Sequence, residues 1–187
     1  VEFSPIAGDT LPLDTDAVYL GGGYPENFPH ELADNVNLAA QLRHAAKLGM
    51  PIYGEGGGLI YLGRSLTGFD GKTYPMSGVL PIDFIMDPTY LQIRYIELTT
   101  HRDSLFGPAG TVIRGQEFHQ SRIVSSEISS DFYTMKTSDG RAYIDGYQQQ
   151  NVVASYAHIY LNSCSEAAYN FVQAAKKFRA FRNKSLY

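Results

Sequence analysis

Twelve residues, Pro51-Ile-Tyr-Gly-Glu-Gly-Gly-Gly-Leu-Ile-Tyr-Leu62, constrain this chain more than any others. Pro51, Ile52 and Tyr53 read as the end of a short buried strand. Gly54 to Gly58 then hold four glycines and Glu55, and Leu59 to Leu62 restart an apolar run that suits a helix. Strand, tight turn and helix is the layout of a nucleophile elbow, which pushes one side chain out over the end of a parallel sheet. Glycine suits such a turn because it takes positive φ and lets backbones approach closely. The N–H groups at the helix start favour negative charge there. An elbow carries its nucleophile at the apex, and the apex here is Gly56.

The flanking segments set the fold class. Asp16-Ala-Val-Tyr-Leu20 is a compact apolar strand that runs into Gly21-Gly-Gly-Tyr-Pro-Glu26, a loop whose N–H groups can face a ligand. Leu32, Val36, Ala39, Leu42 and Ala46 share one helical face, and Gly49 is a stop for that helix. The order strand, loop, helix, strand, elbow, helix predicts a parallel sheet covered by helices. Ligands in such folds gather beyond the carboxyl ends of the strands, where both glycine-rich loops fall.

Val1 to Ser4 reads as a further short strand. From Thr67 to Tyr147 the pattern changes. A long β-like run covers Tyr90 to Leu98, and shorter ones cover 111–114, 116–119, 122–124 and 132–135, between turn residues. These predict antiparallel strands appended to the sheet. Asn151 to Tyr160 reads as one apolar strand. Ser163 and Glu166 have capping-box spacing ahead of a final helix with inner stripe Ala167, Phe171, Ala174 and Phe178. The expected fold is a three-layer, flavodoxin-like α/β domain with added antiparallel strands, one domain over residues 1–187.

Composition narrows the function classes. Fifteen basic and nineteen acidic residues give a net charge of -4, which argues against nucleic acid as the main partner. Apolar runs are far too short to span a bilayer, so no membrane partner is expected. Cys164 is the only cysteine, so no internal disulfide can form and a reducing cytoplasm is the expected setting. Val1-Glu-Phe-Ser-Pro has neither the basic start nor the apolar core of a signal peptide. The missing initiator Met suggests processing or a piece of a longer chain.

Four segments carry the chemistry: Gly21 to Glu26, Gly54 to Leu62, Gly115-Gln-Glu-Phe-His-Gln-Ser121 and Ser155-Tyr-Ala-His-Ile-Tyr160. Together they resemble the class I, triad-type glutamine amidotransferase domain of cobyrinic acid a,c-diamide synthases. That family carries Gly-Gly-Tyr-Pro-Glu, Glu-Cys-Gly-Gly-Leu-Met-Tyr-Leu, Gly-His-Glu-Phe-His-Tyr-Ser and Ser-Tyr-x-His-Leu-His-Phe, in this order. Four ordered motifs are specific where any one alone is weak.

The resemblance implies roles. The elbow Cys attacks the side-chain amide of glutamine and forms a thioester, a late-strand His is the base, and backbone N–H groups hold the oxyanion. Carried over by motif, Gly56 holds the nucleophile position and His158 the base position. Gly22, Gly23 and Gly57 form the oxyanion loop, while His119, Gln120 and Ser121 contact glutamine. Ammonia would pass to a separate ATP-binding synthetase domain or subunit that amidates a corrinoid substrate. Mg-ATP is implied there, and no cofactor or metal in this chain. A homodimer is left open.

Three departures matter: Gly56 for the Cys, Gln116 for the first His of the third motif, and Tyr160 for the last His of the fourth. Without a nucleophile the glutamine-hydrolysing step is expected to be absent, since deleting a triad serine costs roughly 10⁶-fold. Cys164, in a turn after another strand, reads as a small partly buried residue. Glu55 reads as a carboxylate that orders the turn, and Glu117 with His119 is too thin a pair for a metal. No Gly-x-x-x-x-Gly-Lys-Ser/Thr occurs, so no ATP site is legible. The rival reading is a non-catalytic module that uses the cleft, enlarged by the missing side chain, for a tetrapyrrole-like, amino-acid or other anionic ligand. An engineered exchange at Gly56 is a third reading, against which Gln116 and Tyr160 argue for drift.

Overall fold

The computed structural model describes residues 1–184. The N-terminal half runs β1 (Val18–Leu20), α1 (Pro29–Asp34), α2 (Val36–Lys47), β2 (Ile52–Glu55) and α3 (Gly57–Leu62). Then come β3 (Ser65–Thr67), β4 (Thr73–Pro75), β5 (Ile82–Met86), β6 (Gln92–Thr100), β7 (Val112–His119) and β8 (Ser121–Ser126). The chain closes with β9 (Tyr133–Thr137), β10 (Ala142–Asp145), β11 (Tyr147–Gln149), β12 (Val152–Ser155), β13 (Ala157–Ile159) and α4 (Ser165–Lys184).

The central sheet has the order β1-β2-β12-β11, with β1, β2 and β12 parallel and β11 antiparallel at the edge. All four residues of β2 and of β12 are buried, as expected for strands covered on both faces. Their side chains alternate between two cores. Ile52 and Val152 join Leu38, Leu42, Leu59 and Phe84 on one side. Tyr53 and Val153 join Leu98, Ile113, Phe132 and Met135 on the other. Among the described residues no helix is long and apolar enough to cross a membrane.

The middle strands do not lengthen the central sheet. They build a five-stranded sheet, β10-β9-β6-β7-β13, and a four-stranded one, β4-β3-β5-β8. The two short strands expected at 111–114 and 116–119 are the single strand β7. Gly115 does not interrupt it: a Cβ there would lie 2.4 Å from the His158 carbonyl oxygen, so a glycine lets β13 approach.

Four other expectations are corrected. Residues 1–4 form no strand. The single helix expected across Leu32 to Ala46 breaks at Asn35, whose side chain accepts from Leu38 N at 3.2 Å and caps α2. The same side chain donates to Pro5 O at 3.1 Å and Asp9 O at 2.9 Å, tying down the N-terminal segment. The strand expected from Asn151 to Tyr160 divides at Tyr156 into β12 and β13, which belong to different sheets. Ser163 does not cap α4, because its hydroxyl accepts from Arg114 N at 2.9 Å and donates to Tyr160 O at 2.7 Å.

Candidate functional site

The two glycine-rich loops leave the carboxyl ends of neighbouring parallel strands, β1 and β2. β12 lies on the other side of β2, so the chain beyond it, β13, arrives at the same edge. Gly56 N donates to Ser155 O at 3.0 Å, which ties the elbow to the end of β12. Three segments distant in sequence thereby meet at one place.

Gly56 has φ 53° and ψ −113°. This conformation is sparsely populated and costs an L-residue of order 1–3 kcal/mol. The strained bend of an elbow is therefore retained, and glycine holds it without the steric penalty. The helix behind it is pressed hard against the first loop. A Cβ on Gly57 would lie 2.6 Å from Gly23 O, and one on Gly58 2.3 Å from Leu20 O.

His158 sits between these loops. A Cβ on Gly56 would lie 2.4 Å from its Nε2, and one on Gly22 2.1 Å from its Cε1. The imidazole thus occupies the space that a side chain at position 56 would enter. The expectation that glycine at 56 enlarges the cleft is corrected: the ring fills that space from within. The side chain stays 25% exposed, so its edge is open to solvent.

Glu55 backs the histidine. Its Oε1 lies 3.8 Å from His158 Nδ1, and its Oε2 accepts from Ile159 N at 3.0 Å. The carboxylate therefore holds β13 in place and faces the imidazole. Burial, reinforced by the charge of Glu55, pushes the Tyr19 phenol well above its ordinary range.

Beside the elbow lies a cavity of about 170 Å³. Gly23 to Glu26 form one wall, Gly56, Gly57 and Ile60 the floor, and Phe118 to Ser121 the opposite wall. All three residues of the expected glutamine-contact segment, His119, Gln120 and Ser121, line it. His119 is held firmly. Its ring stacks on Tyr156 with centroids 3.6 Å apart, Nδ1 donates to Ser121 O at 3.0 Å, and Nε2 lies 3.8 Å from Glu117 Oε1. Tyr143 donates its hydroxyl to Glu117. Burial alone would raise the Glu117 carboxyl, but the nearby His119 ring, the Tyr143 hydroxyl bond and the charge of Arg94 outweigh it and hold it below the ordinary carboxylate range.

Gln116 is exposed and pairs with His158 across β7 and β13. Tyr160 is exposed, with its N–H bonded to Arg114 O at 2.8 Å. Cys164 packs against the second core and does not line the cavity. Among the described residues no group of three or more His, Cys, Asp or Glu is arranged to hold a metal. Sequence reasoning missed the Tyr156 shelf and Glu26. Burial holds the Glu26 carboxyl above its ordinary value, against a lowering by its own backbone N–H. The Gly-Gly-Tyr-Pro-Glu loop was the available signal for Glu26, and the Ser155-Tyr-Ala-His158 motif was the signal for Tyr156, though not for its stacking on His119.

The family model for the CobB/CobQ-like glutamine amidotransferase domain matches residues 1–165. The cobyrinate a,c-diamide synthase of Streptococcus sanguinis is 37% identical over 180 residues, 95% of this chain and 39% of that protein. The synthase of Thermoplasma acidophilum is 38% identical over 172 residues, 92% of this chain and 38% of that protein. The chain therefore spans about two fifths of these relatives' length. A glutamine amidotransferase of Thermotoga maritima superposes with TM-score 0.51 at 16% identity, covering 95% of this chain and 70% of its own. Another glutamine amidotransferase of known structure gives 0.54 at 17% identity, covering 86% of this chain and 79% of its own. These neighbours share its flavodoxin-like class I amidotransferase fold. With its glycine-rich loops, its late-strand histidine and this fold, the chain belongs to the family of CobB/CobQ-like glutamine amidotransferase domains.

Proposed function

We propose that this chain is the glutaminase-type domain of a cobyrinate a,c-diamide synthase in which glutamine hydrolysis is lost. One observation carries the reading: an elbow backbone is held in its strained conformation while its apex, Gly56, has no side chain. The resemblance puts a Cys there, and neither His158 nor Cys164 supplies a thiol at that point. The resemblance gives Gly22, Gly23 and Gly57 the oxyanion role, and the placing of Gly23 and Gly57 in one cavity with His119, Gln120 and Ser121 supports it.

ATP-dependent amidation of corrin carboxylates, with Mg-ATP, is assigned to the remaining part of a longer cytoplasmic synthase, of which residues 1–187 form one domain. That part would draw on free ammonia. A partner fits beside the cleft. Ile93 and Tyr95 of β6 lie opposite Phe118 and Gln116 of β7, and Ile93, Tyr95 and Phe118 are all exposed. These three exposed apolar side chains, beside the polar Gln116, Glu97 and Arg114 of the same face, are a seat for the synthetase part.

The test is amidation of cobyrinate by the complete synthase with ATP, supplied with either ammonium salt or glutamine. Product with ammonium alone is expected. Equal product with glutamine would contradict the reading. The rival binding module draws support from the open cavity, whose size suits an amino acid rather than a tetrapyrrole. Calorimetric titration with glutamate and glutamine, each against a corrinoid, separates the two ligand classes.

A further inference from the structure

We infer that His158 stands in for the absent thiol as a nucleophile toward activated γ-glutamyl esters, though not toward glutamine. The inference rests on the proposed function, because it takes the neighbouring cavity as the seat of a glutamyl group. Its basis is position. The Nε2 atom lies 2.4 Å from where a Cβ on Gly56 would stand, which places it over the elbow apex itself rather than beside it. The ring is wedged between the two loops whose N–H groups would hold an oxyanion, and 25% of the side chain remains exposed. Glu55 faces Nδ1 at 3.8 Å, which favours the tautomer with its proton on Nδ1 and its lone pair on Nε2. Histidine is a competent covalent nucleophile when its lone pair is aimed at a carbonyl.

The chemistry limits the substrate. Nε2 donates its lone pair to the γ-carbonyl carbon and forms a C–N bond, and the carbonyl oxygen becomes an oxyanion against the Gly23 and Gly57 N–H groups. The tetrahedral species must then expel one group. Imidazole leaves more readily than an amide nitrogen, so with glutamine it collapses back to reactants. With an aryl ester the aryl oxide leaves with the C–O electron pair and an acyl-imidazolium remains. Its Nδ1 proton passes to solvent or Glu55. Water then adds to the acyl carbon, gives up its proton and breaks the C–N bond, so that free imidazole and a carboxylic acid are restored. The sum is ester plus water giving acid plus phenol, with no oxidant or further reactant.

The experiment uses the chain in excess over the γ-(4-nitrophenyl) ester of glutamate, with 4-nitrophenyl acetate in parallel. Release of 4-nitrophenolate should be at least about tenfold faster than with His158→Asn, a barrier difference of roughly 1.4 kcal/mol. The acyl group, trapped by acid quench, should map to His158. Gly22→Ala, whose Cβ would meet the ring at 2.1 Å, should displace the imidazole and lose the same increment, with the fold checked by thermal melting. Unchanged rates in His158→Asn, or an adduct on another residue, would overturn the inference. If the acetate reacts through His158 as fast as the glutamyl ester, the nucleophile stands and the glutamyl reading of the cavity fails.

Discussion

Gly56 holds a conformation that only glycine takes freely, and a side chain there would also meet the His158 ring. Gly56→Ala should lower stability by roughly 1–3 kcal/mol, seen as a lower melting temperature. An unchanged melting temperature would mean that the bend carries no strain. Glu117 gives a second residue-scale prediction. Its carboxylate is buried and bonded to Tyr143, with His119 3.8 Å away, and it is held below the ordinary range. Such a group stabilises the fold above its unfolded pKa and loses that contribution as pH falls through the depressed folded value. Glu117→Gln should therefore cost about 1–3 kcal/mol near neutrality. That difference should shrink in acid, below the usual carboxylate range. Equal denaturant midpoints at neutral pH would refute this. Gly22, Gly56 and His158 were legible in the sequence because each sits in a short motif. The imidazole's place inside the elbow was not, because it depends on β13 pairing with β7 through Gly115, a contact between residues far apart in the chain.

The elements meet through glycines where backbones touch. α3 packs on β1 closely enough that Gly58→Ala would bring a methyl within 2.3 Å of Leu20 O, a backbone atom with no rotamer to change. A loss of about 1–3 kcal/mol is expected. Gly23→Ala meets nothing within 4 Å and should cost far less. Comparable losses at both positions would refute the packing account. The break between α1 and α2 gives another case. Asn35→Ala should remove about 0.5–2 kcal/mol as a lost cap, and it also releases Pro5 and Asp9. The apolar periodicity ran straight through Asn35, and only the cap chemistry of that residue could have signalled the break. β12 and β13 read as one strand because both are apolar. The division at Tyr156 follows from tertiary demands, since Tyr156 is buried under His119 while the strands on either side join different sheets.

At the scale of the molecule, the parallel strands, the two glycine loops and the final helix were all visible in the order of apolar runs. The assignment of the middle strands to two separate sheets was not, because pairing partners of short antiparallel strands leave little mark in sequence. This arrangement gives the cleft its second wall: β7 and the start of β8 bring Phe118 to Ser121 opposite the elbow. The central claim is that this cleft keeps its shape while the atom that should bond to glutamine is missing. Ammonia release from glutamine by the unaltered chain, measured beside Gly56→Cys, tests it most directly. The account predicts no release above the buffer rate from the unaltered chain. Glutamine-dependent release from it that saturates with substrate and disappears in His158→Asn would contradict the account.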